Sequence, residues 1–203
     1  MEPRDHWREV YSAKRPDEVS WYQASPTSSL AALGRSAAGP HMSLVDVGAG
    51  ASTLVDALLD RGWADVTLVD ISEPALDASR ARLGSRAGTV RWQVADVRRW
   101  RPGRVFDIWH DRAVFHFLTE AEDRACCKHA LAQATHPGSL IVLATFSADG
   151  PEKCSGLPVR RYDAAALAAE LGGEFRQIDE WRETHVTPSG SGQHFQWCVF
   201  ERR

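Results

Sequence analysis

Three aspartates, Asp46, Asp70 and Asp96, each fall at or near the end of a run that reads as a strand, and a glycine pair, Gly48 and Gly50, follows the first of them. Carboxylates so placed can accept bonds from the hydroxyl and amino groups of a nucleoside, at roughly 1.5 to 3 kcal/mol for each charge-assisted bond. Glycine beside them lets the chain turn sharply and lets a ligand approach the main chain where a Cβ would intrude. A second set is soft or titratable: His110, Asp111, Arg112 and His116, then Lys153 and Cys154, then His185, Gln193 and His194. Groups of these types can hold a nucleophile or take its proton.

Alternating strands and helices are needed to bring these residues to one edge. Ser43 to Thr53, SLVDVGAGAST, begins as a buried strand and turns at the glycines, and TLVDALLD continues as a helix with Leu54, Leu58 and Leu59 at helical spacing. Further strands are expected at 64–70 (ADVTLVD), 89–95 (TVRWQVA), 104–110 (RVFDIWH) and in SLIVLATF. Helices are expected after Ser25, Ser72, Thr119 and Asp163, each able to cap one. EFRQIDEWRETH and QHFQWCVFER close the chain as a hairpin, with no helix after them. The pattern predicts an α/β protein of five β-α units and a hairpin, with ligands at the carboxyl ends of the strands.

A chain of 203 residues and 22.5 kDa is enough for one domain with a substantial core, expected over 1–203, with 1–42 as a helical lid on a core of 43–203. A net charge of -3 argues against a broad electrostatic grip on nucleic acid. Four cysteines with no C-x-x-C pair give no zinc knuckle or disulfide framework, and no metal is expected. No apolar run spans a bilayer, and MEPRDHWREV lacks the apolar core of a signal peptide, so no membrane contact and a cytoplasmic location are expected.

VDVGAG resembles the first motif of the class I S-adenosylmethionine-dependent methyltransferases. A dinucleotide turn favours a third glycine, and that position is Thr53. The resemblance implies a Rossmann-like seven-stranded, mostly parallel sheet with an antiparallel C-terminal hairpin strand and helices on both faces. It implies S-adenosylmethionine as cofactor and S-adenosylhomocysteine as product. Asp46, Gly48, Ala49 and Gly50 would form the cofactor turn; Asp70 and Ile71 would meet the ribose; Asp96 and Val97 would meet the adenine; Asp111 and Arg112 would also serve the cofactor. W-x-x-x-Y followed by S-W-Y is similar to the leader of small members of the class, where an aromatic residue, here Trp21 or Tyr22, closes over the cofactor.

The acceptor is approached through His116, Cys154, His185 and His194, expected to converge beside the transferable methyl. A lysine amine, with pKa near 10.4, costs about 4.6 kcal/mol to deprotonate at pH 7, whereas a thiol near 8.5 costs about 2 kcal/mol. The first reading is methylation of a small nucleophile such as a thiol or another soft atom, and the second is a protein lysine methyltransferase. A third, of another class, is a non-catalytic cofactor-binding regulator, and an NAD-binding oxidoreductase stands outside these. The acceptor atom (sulfur, nitrogen, oxygen or a metalloid) and the oligomeric state stay open.

Overall fold

A computed structural model describes residues 2–203. Its centre is a seven-stranded sheet. In chain order the strands are β1 (Leu44–Val47), β2 (Val66–Asp70), β3 (Arg91–Val94), β4 (Phe106–Arg112), β5 (Thr135–Phe146), the short β6 (Lys153–Cys154) and β7 (Leu157–Pro158), and the long β8 (Phe175–Val186) and β9 (Gly192–Arg202). The helices are α1 (Pro3–Ala13), α2 (Thr27–Arg35), α3 (Leu54–Asp60), α4 (Glu73–Leu83), α5 (Ala121–Ala134) and α6 (Ala164–Leu171). The sheet runs β3-β2-β1-β4-β5-β9-β8; its first five strands are parallel, while β9 lies antiparallel to both β5 and β8. This is the seven-stranded α/β architecture expected, with β6 and β7 added as a separate small hairpin.

β1 and β2 are buried along their whole length, as parallel strands covered by helices on both faces must be. Side-chain alternation divides their residues between two cores: Leu44, Leu68, Ile108 and Val142 face one, and Val45, Val47, Val69 and Trp109 the other. The order β2-β1-β4 places a topological switch beside β1, where a crevice opens at the carboxyl ends of the strands.

Several local expectations are corrected. The β4 strand starts at Phe106 and runs on to Arg112, because its pairing with β5 continues to Arg112↔Ala144. Asp111 and Arg112 are therefore strand residues, as His110 was expected to be. No helix joins β3 to β4; the connection is pinned by buried Trp100, whose indole N–H donates to Gln93 Oε1 at 2.7 Å. The α5 cap is Glu120 rather than Thr119, and the α2 cap is Pro26 rather than Ser25. The expected cap at Asp163 is present, its carboxylate accepting from the Ala166 amide at 2.7 Å.

Candidate functional site

The carboxyl edge of the sheet opens into a cavity of about 310 Å³, roofed by α1 and by the β6–β7 hairpin. Among its lining residues are Trp21, Gly48, Asp70, Ile71, Asp96, Val97, Arg112 and Cys154. Gly48 and Gly50 turn the chain after β1 with φ of +66° and +53°, a region that L side chains rarely adopt. A Cβ on Gly48 would lie 1.9 Å from Val114 Cγ2, so the turn is closed to any larger residue.

Asp70 ends β2 beneath this turn. Its Oδ2 accepts from the Gly50 amide and its Oδ1 from the Ser72 amide, both at 2.7 Å. Burial pushes its carboxyl up to about 6, against the lowering effect of those amides. Each oxygen keeps a lone pair for a ligand. Asp96 is more fully engaged: the Arg98 guanidinium forks onto it, with Nε at 3.0 Å from both oxygens and Nη2 at 2.6 Å from Oδ2. Arg98 then reaches Asp123, another lining residue, at 3.4 Å.

Tyr22, Asp46 and Ala49 border a smaller cavity of about 60 Å³ instead, and Gly50 reaches the main site only through its amide on Asp70. Asp46 faces its register partner on β4, His110. The His110 Nδ1 hydrogen donates to Asp46 Oδ1 at 2.7 Å, and Nε2 pairs with Ser29 Oγ of α2 at 3.0 Å. All three side chains are buried, so the chain of bonds ties the N-terminal segment to the end of β1. Asp111 points to the other face, where it accepts from the Val114 and Phe115 amides at 3.0 and 3.2 Å; burial pushes its carboxyl up to about 7.

Of the four residues expected at the acceptor, Cys154 alone lines the main cavity. Burial pushes its thiol up to about 11, with the nearby Arg112 cation acting in the opposite sense. His116 is buried within the wall between Phe117 and Phe146, ring centroids at 4.6 and 4.7 Å, and its Nδ1 accepts from the Phe146 amide at 3.1 Å. Burial, with Arg112 beside it, drives its pKa down to about 3, so the ring is neutral. His185 pairs with Ser20 O at 2.8 Å and holds the N-terminal segment against β8. His194 is exposed on β9, paired with Thr184 Oγ1 at 3.1 Å. The expected convergence of the three histidines with Cys154 is thus corrected: two are used inside the wall and one faces outward.

Residues 44–138 match the family model of a methyltransferase domain. Of solved structures, the chain is similar to one concerned with the conversion of a disulfide bond into a thioacetal group during echinomycin biosynthesis. That match has 19% identity and a TM-score of 0.78 over 98% of this chain and 92% of that one. It is also similar to the 1,6-didemethyltoxoflavin-N1-methyltransferase of Burkholderia thailandensis, with 20% identity and a TM-score of 0.71 over 96% and 81% of the two chains. A third is the N-methyltransferase NodS of Bradyrhizobium japonicum, with 13% identity and a TM-score of 0.73 over 98% and 99%. No curated protein matches the sequence. These three likenesses speak to the fold, and the family match to the domain. The matched segment runs from β1 into the start of β5, and with the rest of the sheet it has the seven-stranded fold expected of a class I methyltransferase. The methyl donor of this class is S-adenosylmethionine.

The methyltransferase cleft also uses residues outside the expected set. Trp7 and Tyr11 of α1 form its roof, Trp7 packing edge-on against Trp21 at 5.5 Å and Phe117 at 5.1 Å. The Tyr11 hydroxyl accepts from the Trp21 indole at 3.1 Å and hangs directly over Gly50. The signal available was the leader W-x-x-x-Y, whose aromatics are Trp7 and Tyr11, although Trp21 or Tyr22 was expected to close the site. No helix among the described residues is long and apolar enough to cross a membrane, and no group of three or more metal-ligating side chains occurs among them.

Proposed function

We propose that this methyltransferase carries the methyl group of S-adenosylmethionine to sulfur, or another soft atom, of a small-molecule acceptor. Asp70 would take the ribose hydroxyls, the segment around Val97 the adenine, and the glycine turn the methionyl part. The acceptor's lone pair forms a bond to the methyl carbon as the methyl–sulfonium bond breaks; that electron pair stays on sulfur, leaving S-adenosylhomocysteine. A thiol acceptor loses its proton to solvent, so the protein's contribution is alignment and exclusion of water.

The observation that carries this reading is the composition of the cleft beyond Gly48, where a guanidinium and a thiol, Arg112 and Cys154, line the wall beneath the aromatic lid. A lysine ammonium entering there would meet the Arg112 cation while needing about 4.6 kcal/mol for deprotonation at pH 7. A thiol needs only about 2 kcal/mol and gains from a nearby cation. The protein lysine reading is therefore the weaker.

Calorimetry with S-adenosylmethionine, S-adenosylhomocysteine and NAD, followed by labelled-methyl transfer to small thiols and to lysine peptides, tests the proposal. Binding of the first two ligands and labelling of thiols are expected. Labelling of peptides alone would favour the lysine reading, and binding without turnover on any acceptor would favour a regulator. NAD binding without S-adenosylmethionine binding would sink the assignment.

A further inference from the structure

Arg112 ends β4 with its side chain in the cavity wall, where Nε and Nη2 are shielded from solvent and have no hydrogen-bond partner. Its third nitrogen, Nη1, donates to Trp21 O at 3.1 Å, and the guanidinium carbon stands 4.9 Å above the Phe195 ring. The acids whose charges it feels are committed elsewhere. Glu183 accepts from Ser28, Gln23 and the Trp197 indole, and Asp46 accepts from His110. A guanidinium remains protonated even when buried, and burying its N–H groups without partners is costly unless an anion moves in to meet them.

We propose that the Nε–Nη2 edge of Arg112 receives a carboxylate or similar planar oxyanion belonging to the methyl acceptor, so that the acceptor is a small acid. This rests on the methyl-transfer reading above. Along the carboxyl edge, Asp96 follows β3, Asp70 ends β2, Gly48 follows β1 and Arg112 ends β4. Arg112 thus stands one strand beyond the glycine turn, on the side remote from Asp96, and shares the cavity with Cys154 and Leu157 of the small hairpin. Two parallel N–H groups of a guanidinium match the two oxygens of a carboxylate, which gives direction as well as attraction. An acid in this place would also offset the repulsion between the guanidinium and the cofactor's sulfonium, which a neutral acceptor leaves in full.

The test uses the full chain saturated with S-adenosylhomocysteine and two matched pairs of probes: 3-mercaptopropionate with 3-mercaptopropanol, and benzoate with benzyl alcohol. In at least one pair calorimetry should show the acid binding about tenfold or more tightly than the alcohol. Arg112→Gln should abolish that preference, and Arg112→Lys, which keeps the charge without the fork, should restore part of it. Affinity of Arg112→Gln for S-adenosylhomocysteine should stay within about threefold of the parent. Equal or absent binding of acid and alcohol in both pairs overturns the proposal, and this comparison needs no variant to fold. A loss of more than about tenfold in S-adenosylhomocysteine affinity also overturns it, because the edge would then serve the cofactor's own carboxylate. If acids bind through Arg112 but labelled methyl reaches no acceptor, the receptor stands and the methyl-transfer reading falls.

Discussion

Asp70 holds two amides of its own neighbourhood, from Gly50 and Ser72, whereas Arg112, two strands away along the same edge, has two buried nitrogens that bond to nothing. The half of the cleft at β1–β3 is assembled before any ligand arrives, since its turn, acid and amides are bonded to one another. The half at β4 and the β6–β7 hairpin leaves two buried N–H groups without partners and closes with side chains from distant segments. Preorganisation lowers the entropy lost on binding, and an open charged edge favours one kind of ligand over others. One half is thus suited to a fixed cofactor and the other to choice of acceptor.

The largest effect should come from breaking the assembled half. Gly48→Val puts a side chain at positive φ where even a Cβ lies 1.9 Å from Val114 Cγ2, so the 113–115 turn must move. Binding of S-adenosylhomocysteine by calorimetry should fall about 100-fold or more, with a lower melting temperature. Near-normal affinity would mean that the glycine turn does not touch the cofactor.

Next in size is Asp70→Ala, which orphans the Gly50 and Ser72 amides and removes the proposed ribose acceptor. A loss of roughly 2 to 4 kcal/mol in cofactor binding is expected, and somewhat less for Asp70→Asn, which keeps one acceptor. The pH dependence follows from the raised carboxyl, at about 6. The ionised form is the one proposed to accept the ribose hydroxyls, so affinity should be full above that pH and fall as pH drops through it. Titration calorimetry from pH 5 to 8 should show this decline in the parent and not in Asp70→Asn.

How far each half could be read from the sequence differs for a physical reason. Gly48, Gly50, Asp70, Asp96 and Val97 belong to strand-end motifs whose parts are near neighbours in the chain, so their juxtaposition needs only the strand periodicity. The roof depends on α1 crossing the edge; the leader W-x-x-x-Y pointed to an aromatic cover, but its spacing did not show that Tyr11 rather than Tyr22 hangs over Gly50. The histidines were open to misplacement because an imidazole is equally at home bonded inside a wall. His116 gives its lone pair to the Phe146 amide, and His110 gives both nitrogens to Asp46 and Ser29, a link visible only through the register Asp46↔His110. The alternation of strands and helices was legible in the sequence, whereas nothing in the 95–105 turn showed that it buries Trp100.

A smaller effect should come from the acceptor half. With its thiol pushed up to about 11, Cys154 is neutral at working pH, so it can pack against or hydrogen-bond an acceptor but supplies no thiolate. Cys154→Ser should leave S-adenosylhomocysteine affinity within about threefold and raise the KM for a small acceptor roughly three- to tenfold. A variant that lost cofactor binding as well would merge the two halves into one site.

The smallest effect tests where the acceptor half ends. His194 lies on β9, and its backbone carbonyl accepts from the Ser147 amide at 2.9 Å and from the Ser147 hydroxyl at 3.1 Å, bonds that survive any change of side chain. The imidazole itself is exposed and meets only Thr184 Oγ1, outside the cavity lining. His194→Ala should therefore shift stability by less than about 0.5 kcal/mol and leave both KM and kcat as they were. A rise in KM with unchanged cofactor affinity would show that the acceptor surface extends past the β6–β7 hairpin onto the start of β9. Since the backbone bonds to Ser147 remain in the variant, such a rise would report contact with the acceptor rather than damage to the sheet, and it would enlarge the acceptor that Arg112 and Cys154 can be asked to hold.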